Sequence, residues 1–437
     1  MVIVARSTHN CRKAEFIRKD LWKMVYVISA NGKAVMPTTP RKARILLKAG
    51  KAKCIKRTPF TIKLLYETTE YTQPLTHGVD TGSAKIGSAV SDENGKIVYL
   101  SEIEVRNDIA EKMKQRSKYR RNRRNRKTRY RKARWFNRRN SNRTDRFSPT
   151  MTSKVNSHMK EIEFVKSILP ITKLIIETAA FDPHALKNPA VLQNKWLYQR
   201  GINYGFANTK AYVLTRDGYI CQHCKGKSKD KRLEVHHIIY SSKGGSDEES
   251  NLITLCKTCH DGVHDGSANL NLKGKRKGQL SHATQMNSIR QQLLRQLDCE
   301  ETFGFITKEH RQIMGLPKEH CMDAVAVVTQ GTNATFKINN VLYKSCITEG
   351  DYQQSKGIRS EQRIPTGKIN GFRKFDKVRY NGDEYFIKGR MASGYAILMD
   401  IHGVKAELKP IPKFSKMQRI SARKSWITQA EIIPNIV

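Results

Sequence analysis

The chain has few acidic residues for its size. Its 437 residues include 39 Asp and Glu against 81 Lys and Arg, which gives a formal net charge of +42. A positive field of this size calls for a polyanionic partner, and nucleic acid is the usual one. Enhanced solubility, or attraction to an anionic membrane surface, is the simpler alternative.

Long apolar runs are missing as well. No stretch approaches the length that crosses a bilayer, so we expect no membrane partner. The first residues, MVIVARSTHNCRKAEF, lack an apolar segment followed by a small-residue cleavage site, so we expect no secretion signal. Cysteine is sparse: four of the nine stand in a metal-binding pattern, which favours a reducing compartment.

Apolar residues in general are not scarce. They make up 38% of the chain, which supports packed cores, and 437 residues leave room for two to four domains. We therefore expect a multidomain globular protein rather than a disordered polymer.

Two C-x-x-C pairs mark a compact metal-binding segment. Cys221 and Cys224 form the first pair, and Cys256 and Cys259 form the second. Four thiolates at this spacing suit a tetrahedral structural Zn²⁺. The segment is too small to fold on apolar contacts alone, so the metal would act as its staple.

Histidines and one asparagine lie between and after these pairs. His236 and His237 fall on a short predicted strand, Asn251 follows a turn, and His260 comes directly after the last cysteine. This pattern closely resembles the HNH nuclease family. The resemblance implies that His236 and His260 bind a divalent metal, that His237 is the general base and that Asn251 fixes the loop orienting it. A zinc ribbon with incidental histidines is the alternative.

Three separated acids form a second candidate site. Asp80 ends an apolar strand before a tight turn, and Glu177 ends the apolar run ITKLIIET. His320 and Asp323 stand one turn apart on a predicted helix. If these carboxylates converge, they can hold two divalent cations for phosphodiester hydrolysis, with His320 placed to assist the attacking water. Scattered acids are otherwise ordinary surface residues.

An arginine-rich stretch follows the first of these acids. Residues 112–146 contain 18 Lys and Arg and one acid, Asp145, with aromatic residues interleaved. Guanidinium groups grip phosphates and stack on bases, so we expect a nucleic-acid-binding helix. The residues predicted to make these contacts are Arg116, Arg120, Arg121, Arg123, Arg124, Arg126, Arg131 and Arg134.

The C-terminal part reads as short strands joined by Asn-Gly, Ser-Gly and His-Gly turns. This pattern predicts a small β-barrel-like domain, for which protein–protein contact is the alternative role. The candidate nucleic-acid contacts in it are Lys374, Lys377, Arg379, Lys388 and Arg390.

The order of these segments resembles the IscB family of compact, transposon-associated, RNA-guided nucleases. The shared motifs are GVDTG with a following IG, the arginine-rich helix, IIETAAFD, the HNH unit and HCMDA. The resemblance implies a RuvC site formed by Asp80, Glu177, His320 and Asp323, which cuts the displaced DNA strand. The HNH site would cut the strand paired to the guide. This chain departs in reading Ala34-Val35-Met36-Pro37 where the family has PLMP, and Thr81 where Pro is common.

These observations predict a multidomain α/β protein. We expect an RNase H-like (RuvC) core split in three, an inserted zinc-stapled ββα HNH domain, an arginine-rich bridge helix and a C-terminal β-barrel-like domain. The expected boundaries are an N-terminal extension at 1–23, a PLMP-like module at 24–70, RuvC-I at 71–106, the bridge helix at 107–148, RuvC-II at 149–200, HNH at 201–270, RuvC-III at 271–350, and a linker with the C-terminal domain at 351–437.

The resemblance implies an RNA-guided, Mg²⁺-dependent double-stranded DNA endonuclease. Its partners would be a structured guide RNA and a DNA target with a short adjacent motif, in a ribonucleoprotein containing one protein copy. We expect a prokaryotic, cytoplasmic protein that is nucleoid-associated when bound to DNA. A protein-only HNH endonuclease of the homing or restriction type is the first alternative, and a non-catalytic RNA-binding scaffold is the second.

Overall fold

The chain divides into two compact units in a computed structural model that describes residues 23–125, 147–274, 280–348 and 367–433. The first unit comprises Met1–Ala179 and Ser288–Val437, and the second comprises Ala180–Asn287. The second unit is therefore wider than the 201–270 expected for the HNH domain. Among the described helices, none combines the length and apolarity that a bilayer-spanning helix requires.

A small sheet opens the first unit. Its strands β1 to β4 run in the order β2-β1-β4-β3, with β1 parallel to β4. Helix α1 begins after Thr39, whose hydroxyl accepts a hydrogen bond from the Lys42 amide, and it buries Ala43 and Leu47. The bounds are β1 Val25–Ile28, β2 Ala34–Thr38, α1 Pro40–Lys48, β3 Ala52–Lys56 and β4 Thr61–Leu64.

A large sheet follows, and its strands come from five separate stretches of the chain. The order is β11-β8-β5-β6-β7-β13-β18, with β12 paired to β7. The hairpin strands β5, β6 and β7 are antiparallel, whereas β8 is parallel to β5 and β11 is parallel to β8. The bounds are β5 Leu75–Asp80, β6 Lys85–Asp92, β7 Lys96–Glu104, β8 Lys173–Thr178, β11 Glu300–Phe303, β12 Thr335–Phe336, β13 Asn340–Cys346 and β18 Trp426–Ile432.

Helices connect the strands of this sheet. They are α2 Ile109–Asn125, α3 Pro149–Lys166, α7 Ser281–Gln296, α8 Gly304–Ile313 and α9 His320–Thr329. Helix α9 is largely apolar and packs Cys321 and Val325 with Ala89 and Leu100 of the sheet. Gly87 permits this close approach, because a Cβ there would lie 1.8 Å from the His320 carbonyl oxygen.

The C-terminal strands differ from the expected barrel. Strands β14 to β17 form an antiparallel sheet in the order β16-β15-β14-β17 around Val378, Ile387 and Leu398. Within residues 367–433 no pairing joins β16 to β17, so barrel closure is not confirmed. Strand β18 belongs to the large sheet instead, which divides the 351–437 segment. The bounds are β14 Lys377–Tyr380, β15 Asp383–Arg390, β16 Ala396–Met399 and β17 Gln418–Ser421.

The second unit, called the hairpin unit below, is built around a two-stranded hairpin and a short helix. Strand β9 pairs antiparallel with β10, so that Leu252 faces His237 and Cys256 faces Leu233. The core is small and includes the four cysteines of the C-x-x-C pairs. The bounds are α4 Pro183–Lys187, α5 Thr209–Arg216, β9 Leu233–His237, β10 Leu252–Cys256 and α6 Lys257–Asp265.

Candidate functional site

Asp80 and Glu177 end neighbouring strands of the large sheet. Because β5 and β8 run parallel, their C-terminal ends meet at one edge, and Asp80 is the register partner of Glu177. The Thr81 hydroxyl donates to the Glu177 carbonyl oxygen at 2.7 Å, which ties the turn after Asp80 to β8. Two acids that are 97 positions apart in the sequence are thus adjacent in space.

The first turn of α9 adds His320 and Asp323 to this edge. His320 Nδ1 lies 2.6 Å from Asp80 Oδ2, and Asp323 Oδ1 lies 2.7 Å from Arg311 Nε of α8. The structure therefore brings together all four residues that the sequence nominated for this site. Arg311 was missed, because nothing in its local sequence links it to an acid on the next helix.

Burial governs the charge state of this acid site. It raises the pKa of Asp80 and of Asp323 above the usual range. Burial also raises the pKa of Glu177 to about 8, and the charge of Asp80 adds to the effect. Glu177 Oε2 is buried without a hydrogen-bond partner among the described residues. Such an acid-rich, under-coordinated site fits a hard divalent cation, which oxygen ligands prefer.

A second cluster forms in the hairpin unit. His236 lies on β9, while His260 and His264 lie one turn apart on α6, and the ligand atoms of all three lie within 4.8 Å of one another. Sequence reasoning nominated His236 and His260 but missed His264, although its i+4 spacing from His260 was the available signal. Burial lowers the pKa of His236 to about 4, so the ring is neutral, as a metal ligand must be.

His237 lies apart from these three rings. Consecutive strand residues point to opposite faces, so His236 is buried and His237 is partly exposed. His237 Nε2 lies 2.9 Å from Asp247 Oδ1, which can orient the imidazole. The chain therefore separates one histidine, available to accept a proton, from three that can hold a cation.

Asn251 fixes the loop between β9 and β10. Its side chain accepts a hydrogen bond from the Ile239 amide at 3.0 Å. It donates to the carbonyl oxygens of Ile239 at 3.1 Å and of Ser246 at 2.8 Å. Asn251 is fully buried, so its role here is to hold the loop that carries Asp247 next to His237.

The four cysteines form a separate cluster whose Sγ atoms also lie within 4.8 Å of one another. Cys224 Sγ and Cys256 Sγ are 3.8 Å apart. Tetrahedral Zn–S bonds of about 2.3 Å place neighbouring sulfurs about 3.8 Å apart, so this spacing fits the ion. The cluster could therefore bind zinc.

Only some of the arginines predicted to contact nucleic acid lie among the described residues. Arg116, Arg120 and Arg121 are exposed on α2. Arg123 and Arg124 fall within the same helix, whereas Arg126, Arg131 and Arg134 lie outside the described residues, as does the segment 1–22.

In the C-terminal sheet, one prediction needs correction. Lys377 is 5% exposed and its Nζ pairs with Glu384 Oε2 at 2.8 Å, so it faces the protein rather than solvent. Arg379 lies near the same carboxylate at 3.5 Å. Arg390 donates to the backbone of Phe372, and Lys374 lies 4.9 Å from the Phe375 ring centroid. Lys388 is exposed and donates to the Gly403 carbonyl oxygen.

An exposed aromatic group lies in the second unit, ahead of α5 in the chain. Arg200 Cζ lies 5.3 Å from the Trp196 ring centroid and 4.8 Å from that of Tyr204. Trp196 is 57% exposed and Tyr204 is 61% exposed. Planar groups arranged this way can stack on unpaired bases.

Comparison with known proteins identifies two regions. Residues 25–201 match the RRXRR protein family, and residues 221–266 match the HNH endonuclease family. The second match covers every cysteine and histidine of the two clusters in the hairpin unit.

Two curated relatives match parts of the chain. Type IV methyl-directed restriction enzyme EcoKMcrA of Escherichia coli (strain K12) is 39% identical over 102 residues, which cover 22% of this chain and 34% of that enzyme. The chain thus spans about a third of that relative's length. Anaredoxin of Nostoc sp. is 29% identical over 69 residues, or 16% of this chain and 88% of that protein.

Two crystal structures of Streptococcus thermophilus Cas9 also overlap with the chain. The complex with the AGAA PAM gives a TM-score of 0.31 at 10% identity, covering 58% of this chain and 32% of that one. The complex with the AGGA PAM gives 0.29 at 12% identity, covering 55% and 32%. At these TM-scores the overlap carries no conclusion about function.

Proposed function

The chain is an IscB-like nuclease by its RRXRR and HNH regions, and from that premise we propose that it is an RNA-guided endonuclease acting on double-stranded DNA. The observation that carries the proposal is the convergence of Asp80, Glu177, His320 and Asp323 at one edge of the large sheet. A protein that used only its HNH unit would have no need of a second acid site. The large sheet would then be an RNase H-like, or RuvC, core split in three.

The acid site would cut the displaced strand. Asp80, Glu177 and Asp323 would hold divalent cations, of which Mg²⁺ is the hard, oxygen-seeking choice. When bound, these cations offset the charge that builds on the phosphate. His320 now shares a hydrogen bond with Asp80, and once that carboxylate turned to a cation the imidazole could accept a proton from the attacking water.

The HNH site would cut the strand paired to the guide. His236, His260 and His264 would hold one divalent cation, which polarises the scissile phosphate. His237 would accept the proton of the attacking water, with Asp247 keeping its ring in place. Asn251 would act as a positioning residue through its three backbone hydrogen bonds. The four cysteines would hold a structural Zn²⁺.

A structured guide RNA would occupy the basic surface. The net charge of +42 and the exposed arginines of α2 support this part of the proposal. Target choice would come from base pairing, while the C-terminal sheet would read a short motif beside the target. The active particle would contain one copy of the chain and would work in a prokaryotic cytoplasm, on the nucleoid.

A protein-only HNH endonuclease is the second candidate, because the restriction enzyme EcoKMcrA is one of the chain's curated relatives. Sequencing the RNA that co-purifies after native expression separates the two. A guided nuclease retains a defined RNA, and replacing its guide segment redirects cleavage to a matching duplex. Cleavage that is unaffected by added or removed RNA would refute the guided proposal.

The two sites can be separated by single substitutions. We expect Asp80→Ala to abolish cleavage of the displaced strand and to leave the guide-paired strand nicked. We expect His237→Ala to give the converse result. Strand-specific end labels on a target duplex read both reactions at once. If a protein carrying both Asp80→Ala and His237→Ala still cut both strands, the assignment of these residues would be wrong.

A further inference from the structure

A large exposed phenyl ring lies beside the acid site. Phe305 is 72% exposed, and its ring stacks on that of Phe303 with a centroid distance of 6.2 Å and an interplanar angle of 6°. Gly304 lies between the two residues, and a Cβ there would come within 2.9 Å of Glu177 Oε1. The two ring-bearing residues therefore flank Gly304, whose backbone borders the Glu177 carboxylate.

The elements that carry these rings are firmly held. Strand β11 pairs in parallel with β8, and Thr302 is the register partner of Glu177. On α8, Gly304 and Thr307 border Glu177, and Arg311 pairs with Asp323. These three residues follow i, i+3, i+7 spacing, so one stripe of α8 faces the acids.

Phe305 lies next to this stripe rather than within it. One residue further along a helix corresponds to about 100° of rotation, so its side chain leaves the acid-facing side and reaches solvent. Beside a site proposed to cut phosphodiester bonds, an exposed aromatic ring is suited to stack on the flat face of an unpaired base.

We propose that Phe305, backed by Phe303, stacks on an unpaired base next to the scissile phosphate of the displaced DNA strand. The proposal rests on the proposed function, because only an acid site that cuts single-stranded DNA places such a base there. Every base has a π-face, so the contact holds the strand without reading its sequence. Phe305 is then a positioning residue for that strand alone.

The test uses the complete ribonucleoprotein with Mg²⁺ and a duplex target whose displaced strand carries one abasic nucleotide. The abasic position is moved one nucleotide at a time across the cleavage site. For the wild-type protein we expect one position at which loss of the base slows displaced-strand cleavage by about ten-fold. Changing the identity of the base at that position should have little effect.

Substitutions then connect this position to the ring. We expect Phe305→Ala to cut the intact displaced strand about ten-fold more slowly, with no further loss on the abasic target. Phe305→Leu keeps an apolar side chain but should match Phe305→Ala, whereas Phe305→Trp should restore the rate. Cleavage of the guide-paired strand in the same reaction should not change. Tyr71→Ala removes a ring that is 91% exposed elsewhere and should cut both strands normally.

Two results would overturn the inference and leave the proposed function intact. One is displaced-strand cleavage by Phe305→Ala at the wild-type rate. The other is that removing the base slows displaced-strand cleavage by Phe305→Ala as much as it slows cleavage by the wild-type protein. If instead the wild-type protein never cut the displaced strand, or Asp80→Ala still cut it, the proposed function and this inference would fail together.

Discussion

Glu177 links the proposed metal binding to the charge state of one buried side chain. A carboxyl group whose pKa is raised to about 8 is mostly protonated at neutral pH, and one oxygen of Glu177 has no partner among the described residues. A bound cation would reverse both conditions, because it favours the charged form. In the metal-free fold, ionising the buried Glu177 carboxyl group therefore costs free energy, and a bound cation would remove that cost.

This penalty predicts a pH-dependent stability. An acid whose pKa is raised by folding keeps its proton in the folded state, so the metal-free protein should lose stability as pH rises from about 4.5 towards 8. Mg²⁺ at 100 times its Kd should restore about 2.7 kcal/mol. Thermal unfolding at pH 6 and pH 8, with chelator or Mg²⁺, measures both effects.

Glu177→Gln provides the matched control for this experiment. The amide is nearly isosteric and does not titrate, so it should flatten the pH dependence and reduce the stabilisation by Mg²⁺. Unchanged curves for this variant would place the titration elsewhere in the molecule.

Single residues also show what sequence could and could not reveal. The cysteines and histidines of the two candidate metal clusters lie within 44 consecutive positions, so their spacing alone indicated a metal site. Arg311 and Asp323 belong to different helices, and their contact depends on tertiary packing that no local pattern encodes. Lys377 was misjudged because a basic residue alternating along a strand can face inward when an acid such as Glu384 is there to pair with it.

At the level of elements, helix α3 is anchored by a charge pair in the core. Lys344 Nζ of β13 lies 2.5 Å from Glu161 Oε2 of α3, and both side chains are essentially inaccessible. The other Glu161 oxygen accepts hydrogen bonds from Tyr99 at 2.8 Å and Ser101 at 2.7 Å. Full satisfaction of these groups is what makes such burial tolerable.

Breaking this pair should be costly. Lys344→Met leaves Glu161 charged and buried, and we expect a loss of about 3–5 kcal/mol. The pair Lys33–Glu70, whose lysine is exposed, is the control, where Lys33→Met should cost far less than Lys344→Met. Trp426 lies 5.0 Å from Lys344 Nζ, so its fluorescence reports urea unfolding of this region. A loss at Lys344 no larger than that at Lys33 would contradict the account.

Element boundaries were harder to predict than element types. Phe305 and Ile306 have a β-forming preference and directly follow a strand, but β11 ends at Phe303 and α8 starts at Gly304. The β-forming preference of Phe-Ile is overridden because Gly304 and Thr307 contact Glu177. Strand β18 was missed as part of the large sheet because its partner β13 lies some 80 positions earlier.

For the molecule as a whole, we expect each of the two compact units to be able to unfold while the other stays folded. Zinc bound at the four cysteines would supply folding free energy to a unit with so small a core, so Cys256→Ser should unfold the second unit. Cleavage of the guide-paired strand should be lost, while the large sheet and displaced-strand cleavage remain. Elemental analysis for zinc, limited proteolysis and strand-labelled targets test this.

Cys299→Ser is the control, because Cys299 belongs to the first unit and lies outside the cluster. It should keep both activities and the zinc content. Full retention of guide-paired-strand cleavage by Cys256→Ser would show that the hairpin unit needs no metal staple.

The return of β18 to the large sheet determines how the C-terminal sheet could be exchanged for another. The Ile347 amide donates to the Ser425 carbonyl oxygen at 2.9 Å, so the chain leaves the sheet and comes back to it at adjacent points. The described part of the segment between these points also packs on the sheet, because Ile401 clusters with Ile427 of β18 and Lys377 Nζ donates to the Thr428 carbonyl oxygen. A graft of this segment from a relative should therefore keep the fold only if it brings along side chains that remake these contacts with β18.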